Sequence, residues 1–177
     1  MSQKSTLDES LHETLVYNTG DCFLKIGKPC TKIGKIIKGV MRGFVYDNDG
    51  NEITTHFYQE DDMIVGSYLP NVNIAFTIEA LSECEISTAN YSDVMSWVNK
   101  DQKITEIITH EFQKLNNQLQ SRLVSLLNLS SLEKYELFLK EYPNLINRIP
   151  HYYIANYLGI TPTQLSRARK QFIAKHK

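Results

Sequence analysis

Three hydrophobic periods follow one another along the chain. From about residue 19 to residue 87, short apolar runs alternate with polar positions and are cut by seven glycines, at 20, 27, 34, 39, 43, 50 and 66. Gly43–Tyr46 and Ile53–Phe57 flank Asp47-Asn48-Asp49-Gly50-Asn51, whose residue types favour a hairpin turn. Further short strands are expected at about Ala75 to Ile78 and Glu83 to Ser87. Many short strands without crossover helices predict a small antiparallel barrel or roll. After Asp93 the period changes. From about Lys103 to Leu127 the residues Ile104, Ile108, Phe112, Leu115, Leu119, Leu123 and Leu126 recur at three- or four-residue spacing, with no Pro or Gly between them. That spacing predicts a long amphipathic helix. Such a helix exceeds what one small barrel can cover, so part of the stripe is expected to pack on its own copy in a coiled-coil-like dimer seam.

Ser130-Ser131-Leu132-Glu133 then predicts a capped helix through Glu141, ended by Tyr142-Pro143. The third period begins at about Pro150, where a helix is expected to run to Leu158. Gly159 supplies the left-handed turn position. Thr161-Pro162-Thr163-Gln164 opens a second helix with a Thr N-cap, a Pro at the first helical position and a Gln that closes a capping box. Ile154, Ala155, Leu158, Ile160, Leu165 and Ala168 form the buried faces of a helix-turn-helix, leaving a polar, donor-rich outer face.

Charge supports a nucleic-acid reading through its distribution. The formal net charge of the 177 residues is −1, but no Asp or Glu occurs from Tyr142 to Lys177, where there are six cations. Residues 1–141 carry 13 Lys and Arg against 20 Asp and Glu. A basic end on an acidic body is suited to displacing the counterions condensed on DNA. A composition of 42% hydrophobic and 22% charged residues is that of an ordinary globular chain. No apolar run is long enough for a bilayer and no leader precedes the first strand, so a cytoplasmic protein without a membrane partner is expected. Cys22, Cys30 and Cys84 lack metal-ligand spacing and read as reduced core or strand residues.

The order β-roll, long helix, short helix, helix-turn-helix resembles the Crp/Fnr (catabolite-activator-like) transcriptional regulators over nearly the whole chain, in particular their compact Bacteroidetes-like type. The stretch from Tyr157 to Lys170 carries the resemblance most specifically; Thr19 to Gly27, Ile33 to Arg42 and Ile78 to Ile86 resemble roll strands. The implied fold is α+β: an antiparallel cyclic-nucleotide-binding-like jelly roll at 1–98, a dimerisation helix at 99–129 and a DNA-binding domain at 130–177. It implies a homodimer on a near-palindromic double-stranded site, contact with RNA polymerase, and a small-molecule effector of unknown identity.

Two departures alter those expectations. In cyclic-nucleotide-binding members a Gly-Glu pair holds the ribose, and an Arg followed by Ser or Thr holds the phosphate. Here the pair is Gly66-Ser67, and the Arg position is Ile74, followed by Ala75. Gly66, Ser67, Tyr68, Ile74 and Ala75 are therefore candidates for a pocket without an anion partner, and no cyclic AMP or GMP binding is expected. Only Gln171 to Lys177 remain where a β-hairpin wing would follow the second helix, so that helix is expected to continue into the tail, with Lys175 and Lys177 replacing wing contacts.

For DNA, Arg167 is assigned to base readout, Thr163 and Gln164 to base or phosphate, Lys170 and Arg169 to phosphate, with Thr161 and Ser166 on the same face. An enzyme is the minority expectation. His56 with Glu60, Asp61 and Asp62 could suggest a cupin-like metal site, yet Tyr58 stands where a second histidine belongs, and the acidic run reads as a solvated turn. No catalytic residue, cofactor or metal ligand is nominated. A third class keeps the fold as a sensor or scaffold without DNA binding.

Overall fold

A computed structural model describes residues 13–69, 72–98 and 100–176. The chain forms two compact units, one reaching Leu115 and one beginning at Asn116. The first contains eight strands in two four-stranded antiparallel sheets: β1 (Glu13–Tyr17), β2 (Cys22–Leu24), β3 (Lys32–Lys38), β4 (Met41–Tyr46), β5 (Glu52–Tyr58), β6 (Met63–Ile64), β7 (Thr77–Ala80) and β8 (Cys84–Asn90). One sheet has the order β1-β8-β3-β6 and the other β2-β7-β4-β5. Leu24, Ile36, Met41, Ile64, Ile78 and Ile86, drawn from both sheets, bury together with Ile74 of the β6–β7 loop as the core of the roll.

The β4–β5 hairpin forms where turn chemistry places it, with Tyr46 opposite Glu52. The Asp47 carboxylate accepts from the backbone N–H of Asp49 at 2.9 Å and of Asn51 at 2.8 Å. These hydrogen bonds, with that from the Asn51 side chain foremost, hold the carboxyl below the usual range. β7 begins at Thr77, two residues beyond the expected start, and Ala75 and Phe76 belong to the preceding loop. Three elements lacked a sequence signal: β1, β6 and the helix α1 (Tyr91–Trp97). β1 is largely exposed and, among the described residues, pairs only with β8, so its side chains show no strong alternation. Across the outer face of the second sheet, Arg42 is 1% exposed. It pairs with Glu52 and, at 3.0 Å, with Glu79, and lies over the Phe44 ring.

The long helix α2 spans Gln102–Asn128. Asp101 Oδ1 accepts from the N–H groups of Lys103 and Ile104 and so fixes its start. Its stripe divides. Ile104 and Ile108 bury against Ile33, Val65, Ala89 and Val94, so these two belong to the roll's own core and are not available to a seam between copies. Phe112, Leu119, Leu123 and Leu126 are 48%, 45%, 58% and 38% exposed, and Leu115 is half-buried.

The second unit continues with α3 (Ser131–Glu141), a single 3₁₀ turn (Leu145–Asn147), α4 (His151–Leu158) and α5 (Pro162–Lys175). The expected box at Ser130 is present: its hydroxyl accepts from Glu133 N, and the Glu133 carboxylate accepts from Ser130 N at 2.8 Å. The cysteines are free, Cys84 buried and the other two half-buried. Among the described residues no helix is long and apolar enough to cross a membrane.

Candidate nucleic-acid interface

The junction between α4 and α5 is set by local chemistry. α4 begins after Pro150, one position later than expected, and ends at Gly159, whose φ of 62° and ψ of 38° are left-handed. Gly159 N donates to Asn156 O at 3.1 Å and Ile160 N to Ala155 O at 3.0 Å, satisfying carbonyls that the helix end leaves open. Two residues on, Thr161 N donates to Gln164 Oε1 at 2.8 Å and Gln164 N to Thr161 Oγ1 at 3.2 Å. Pro162 occupies the first helical position, where its missing N–H leaves no bond unmade.

Ile154, Ala155, Leu158, Leu165 and Ala168 are buried, as the period predicts, while Ile160 is half-buried. Small Ala155 and Ala168 let the two helices approach closely. α3 braces α5 through the Tyr135 and Phe172 rings, edge to face at 5.6 Å, and an ion pair between Glu136 and Lys175 at 2.9 Å. Arg122 holds α4: its Nε donates to Tyr157 O at 3.2 Å, and its guanidinium lies over the Tyr157 ring. A cation at the last-turn carbonyls also opposes the negative end of the helix dipole. Burial pushes the Tyr157 phenol up to about 12.

The opposite face of α5 carries the sequence-nominated residues. Thr161, Thr163, Gln164, Ser166, Arg167 and Lys170 are all exposed. Gln164 is committed through its side-chain oxygen to the capping box, which leaves its amide nitrogen outward as a donor. Arg169 differs from its neighbours: it is half-buried, with Nη1 2.8 Å from His151 Nδ1 at the start of α4. His151 itself carried no sequence signal. Lys175 pairs with Glu136 while its side chain stays 60% exposed, and Lys177 lies outside the described residues. α5 does run on to Lys175, as expected of the tail.

The pocket candidates do not converge on one cavity. Ile74 is 2% exposed inside the roll core. A Cβ on Gly66 would meet Leu24 Cδ1 at 2.7 Å and Cys30 Sγ at 3.0 Å, so any larger residue there would push the Leu24 side chain aside. Ala75 is exposed in the loop, and Ser67 closes a turn by accepting from Leu69 N. Tyr68 alone lines an open cavity. The residues weighed for a metal site have other tasks: Glu60 accepts from Gly39 N, Asp61 pairs with Lys35, and Asp62 pairs with Lys114 at 2.6 Å. His56 packs edge-on to Tyr58.

No protein-family model and no curated protein sequence matches the chain. Solved structures do. FixK2 from Bradyrhizobium japonicum is 16% identical with a TM-score of 0.84, over 93% of this chain and 85% of that one. The c-di-GMP-responsive global regulator CLP of Xanthomonas campestris is 14% identical with a TM-score of 0.70, over 93% and 87%. A CRP-family transcriptional regulator from Thermus thermophilus is 15% identical with a TM-score of 0.69, over 92% and 85%. At such identities the likeness is one of architecture, and on that ground the chain has the Crp/Fnr fold: an antiparallel cyclic-nucleotide-binding-like roll, a long helix and a helix-turn-helix.

Proposed function

We propose that the chain is a sequence-specific DNA-binding transcriptional regulator that acts as a homodimer, with α5 entering the major groove. The observation that carries this reading is the outer face of α5: Thr163, Gln164, Ser166, Arg167 and Lys170 stand exposed on a helix whose start, turn and inner face are all fixed. Arg167 is suited to bidentate pairing with guanine, and Thr163 and the Gln164 amide to base edges or phosphate. Lys170, and Arg169 beside His151, are assigned to phosphate. α4 and α5 and the turns around them carry no carboxylate to repel the duplex.

The dimer part of the reading rests on α2. Its stripe is apolar beyond Ile108 yet only partly covered within one chain, and a second copy would cover the remaining surface of Phe112, Leu115, Leu119, Leu123 and Leu126 symmetrically. A two-fold dimer reads half-sites separated by about one helical turn, ~34–36 Å. As an activator it would also meet RNA polymerase. The sensor roll is read as closed to cyclic AMP and cyclic GMP, because buried Ile74 offers a phosphate neither charge nor hydrogen bond.

The test is selection of genomic fragments by the purified full chain at two salt concentrations. Recovery of a near-palindromic site whose advantage persists at the higher salt is expected. Binding that is sequence-blind and disappears with salt would overturn the reading. Calorimetric titration with both cyclic nucleotides is expected to give no heat of binding.

A further inference from the structure

A cavity of about 740 Å³ opens where the β2–β3 loop, the β6–β7 loop and α1 meet. Cys30, Tyr68, Val72, Tyr91, Met95 and Val98 form its walls, and none of its lining residues is Asp, Glu, Lys, Arg or His. The volume falls within the range of small-molecule sites, about 300–1,000 Å³. Gly66 and Ile74 are packed into the roll and do not line the cavity. Two features mark it as more than a surface irregularity. The Tyr91 hydroxyl is buried and makes no hydrogen bond of normal geometry among the described residues; its polar neighbour is Ser67, whose hydroxyl is already engaged with Leu69, so a bound acceptor would complete the phenol's pairing. The Tyr68 ring on its wall meets the Phe112 ring edge to face at 5.0 Å, where the stripe of α2 passes from buried to exposed.

We propose that this cavity is an effector site for an uncharged, largely planar small molecule carrying a hydrogen-bond acceptor, and that Tyr68 couples its occupancy to the dimer helix through Phe112. The site stands independently; the coupling rests on the reading of α2 as a dimer seam. A charged ligand is excluded because entering such a wall would strip its hydration without supplying a counter-charge. Burial pushes the Tyr68 phenol up to about 12 and raises that of Tyr91, so both remain neutral donors at physiological pH. Burial likewise raises the Cys30 thiol, which makes it a soft apolar contact and not a nucleophile. Met95 gives the wall an adaptable surface for a flat ligand.

The experiment titrates the full chain with prodan, an uncharged naphthalene ketone whose emission reports polarity and hydrogen bonding at its carbonyl. Saturable binding at one site per chain is expected. Ser96→Trp, which fills the mouth from an exposed position on α1, should weaken it on the order of tenfold or more, and Ser92→Trp one turn earlier serves if that variant does not fold. Tyr91→Phe should move the bound emission to shorter wavelength. Prodan should change the dimer dissociation constant of the wild type, and Tyr68→Leu should abolish that change while still binding dye. No saturable binding, or equal binding by both Trp variants, overturns the site. An unchanged dimer constant overturns the coupling. Dye binding is read without DNA, so failure here leaves the DNA-binding proposal standing, and failure of the fragment selection leaves the site standing.

Discussion

Gly159 and Leu126 are so closely apposed that a methyl group on the glycine would lie 2.8 Å from Leu126 Cδ2. The turn between α4 and α5 is therefore fixed twice, by a left-handed backbone and by the end of α2 packed over it. Gly159→Ala should cost about 1–2 kcal/mol, mostly as backbone strain, since the Leu126 side chain can yield a little. Urea unfolding measures it, and Gly159→Asn should cost less. An alanine variant as stable as wild type would mean that the turn relaxes into another geometry.

The Thr161–Gln164 box serves both the fold and the DNA-facing surface. Thr161→Ala should destabilise by about 0.5–2 kcal/mol and Thr161→Ser by little. The alanine also frees Gln164, so sequence preference at the base it faces should broaden with the stability loss. Selection of randomised sites against both variants checks this. A Ser variant that behaves like Ala would assign the effect to the threonine methyl group instead of the cap.

Arg167 and Lys170 should separate in a binding assay. Arg167→Ala is expected to cost about 1–3 kcal/mol and to relax discrimination at one base pair, whereas Lys170→Ala should weaken all sequences alike and reduce the salt slope by about one. If Arg167→Ala leaves discrimination intact, the base-reading register lies elsewhere on α5.

On α2, Ile104→Ala should cost about 2–5 kcal/mol at any protein concentration, because Ile104 is fully buried within its own chain. Leu119→Ala should change the unfolding of dilute monomer by no more than about 0.5 kcal/mol but raise the dimer dissociation constant. Denaturation and sedimentation over a concentration series separate the two. Similar concentration-independent losses for both would remove the seam.

Glu141 gives a pH prediction with a definite sign. Burial raises its carboxyl above the usual range, partly offset by the Ser121 hydroxyl, which donates to Oε1 at 3.2 Å. The folded state thus holds this proton more tightly than the unfolded one. Its contribution is present below the ordinary glutamate pKa and is lost as pH rises through the raised value. Glu141→Gln should therefore melt at or above the wild-type temperature near neutral pH, and the difference should narrow on acidification. A gap that widens in acid would reverse the assignment.

Whatever depends on residues within a turn or two of each other was legible along the chain. The left-handed Gly159, the boxes at Ser130 and Thr161, the Asp47 hairpin and the period of α2 rest on backbone sterics and hydrogen bonds spanning two to five residues, so their signals lie contiguous in the chain. The outward face of α5 follows from the same period once Leu165 and Ala168 are turned inward. Where distant segments meet could be read only from the folded chain. Nothing near Ile104 distinguishes it from Leu119, yet Ile33 and Val65 bury the one and leave the other open. β1 became a strand because β8 offered it an edge, Arg169 turned toward His151, and Tyr68 came to lie against Phe112. Those outcomes depend on contacts 18 to 75 residues apart in sequence, whose free energy exists only after the chain has folded.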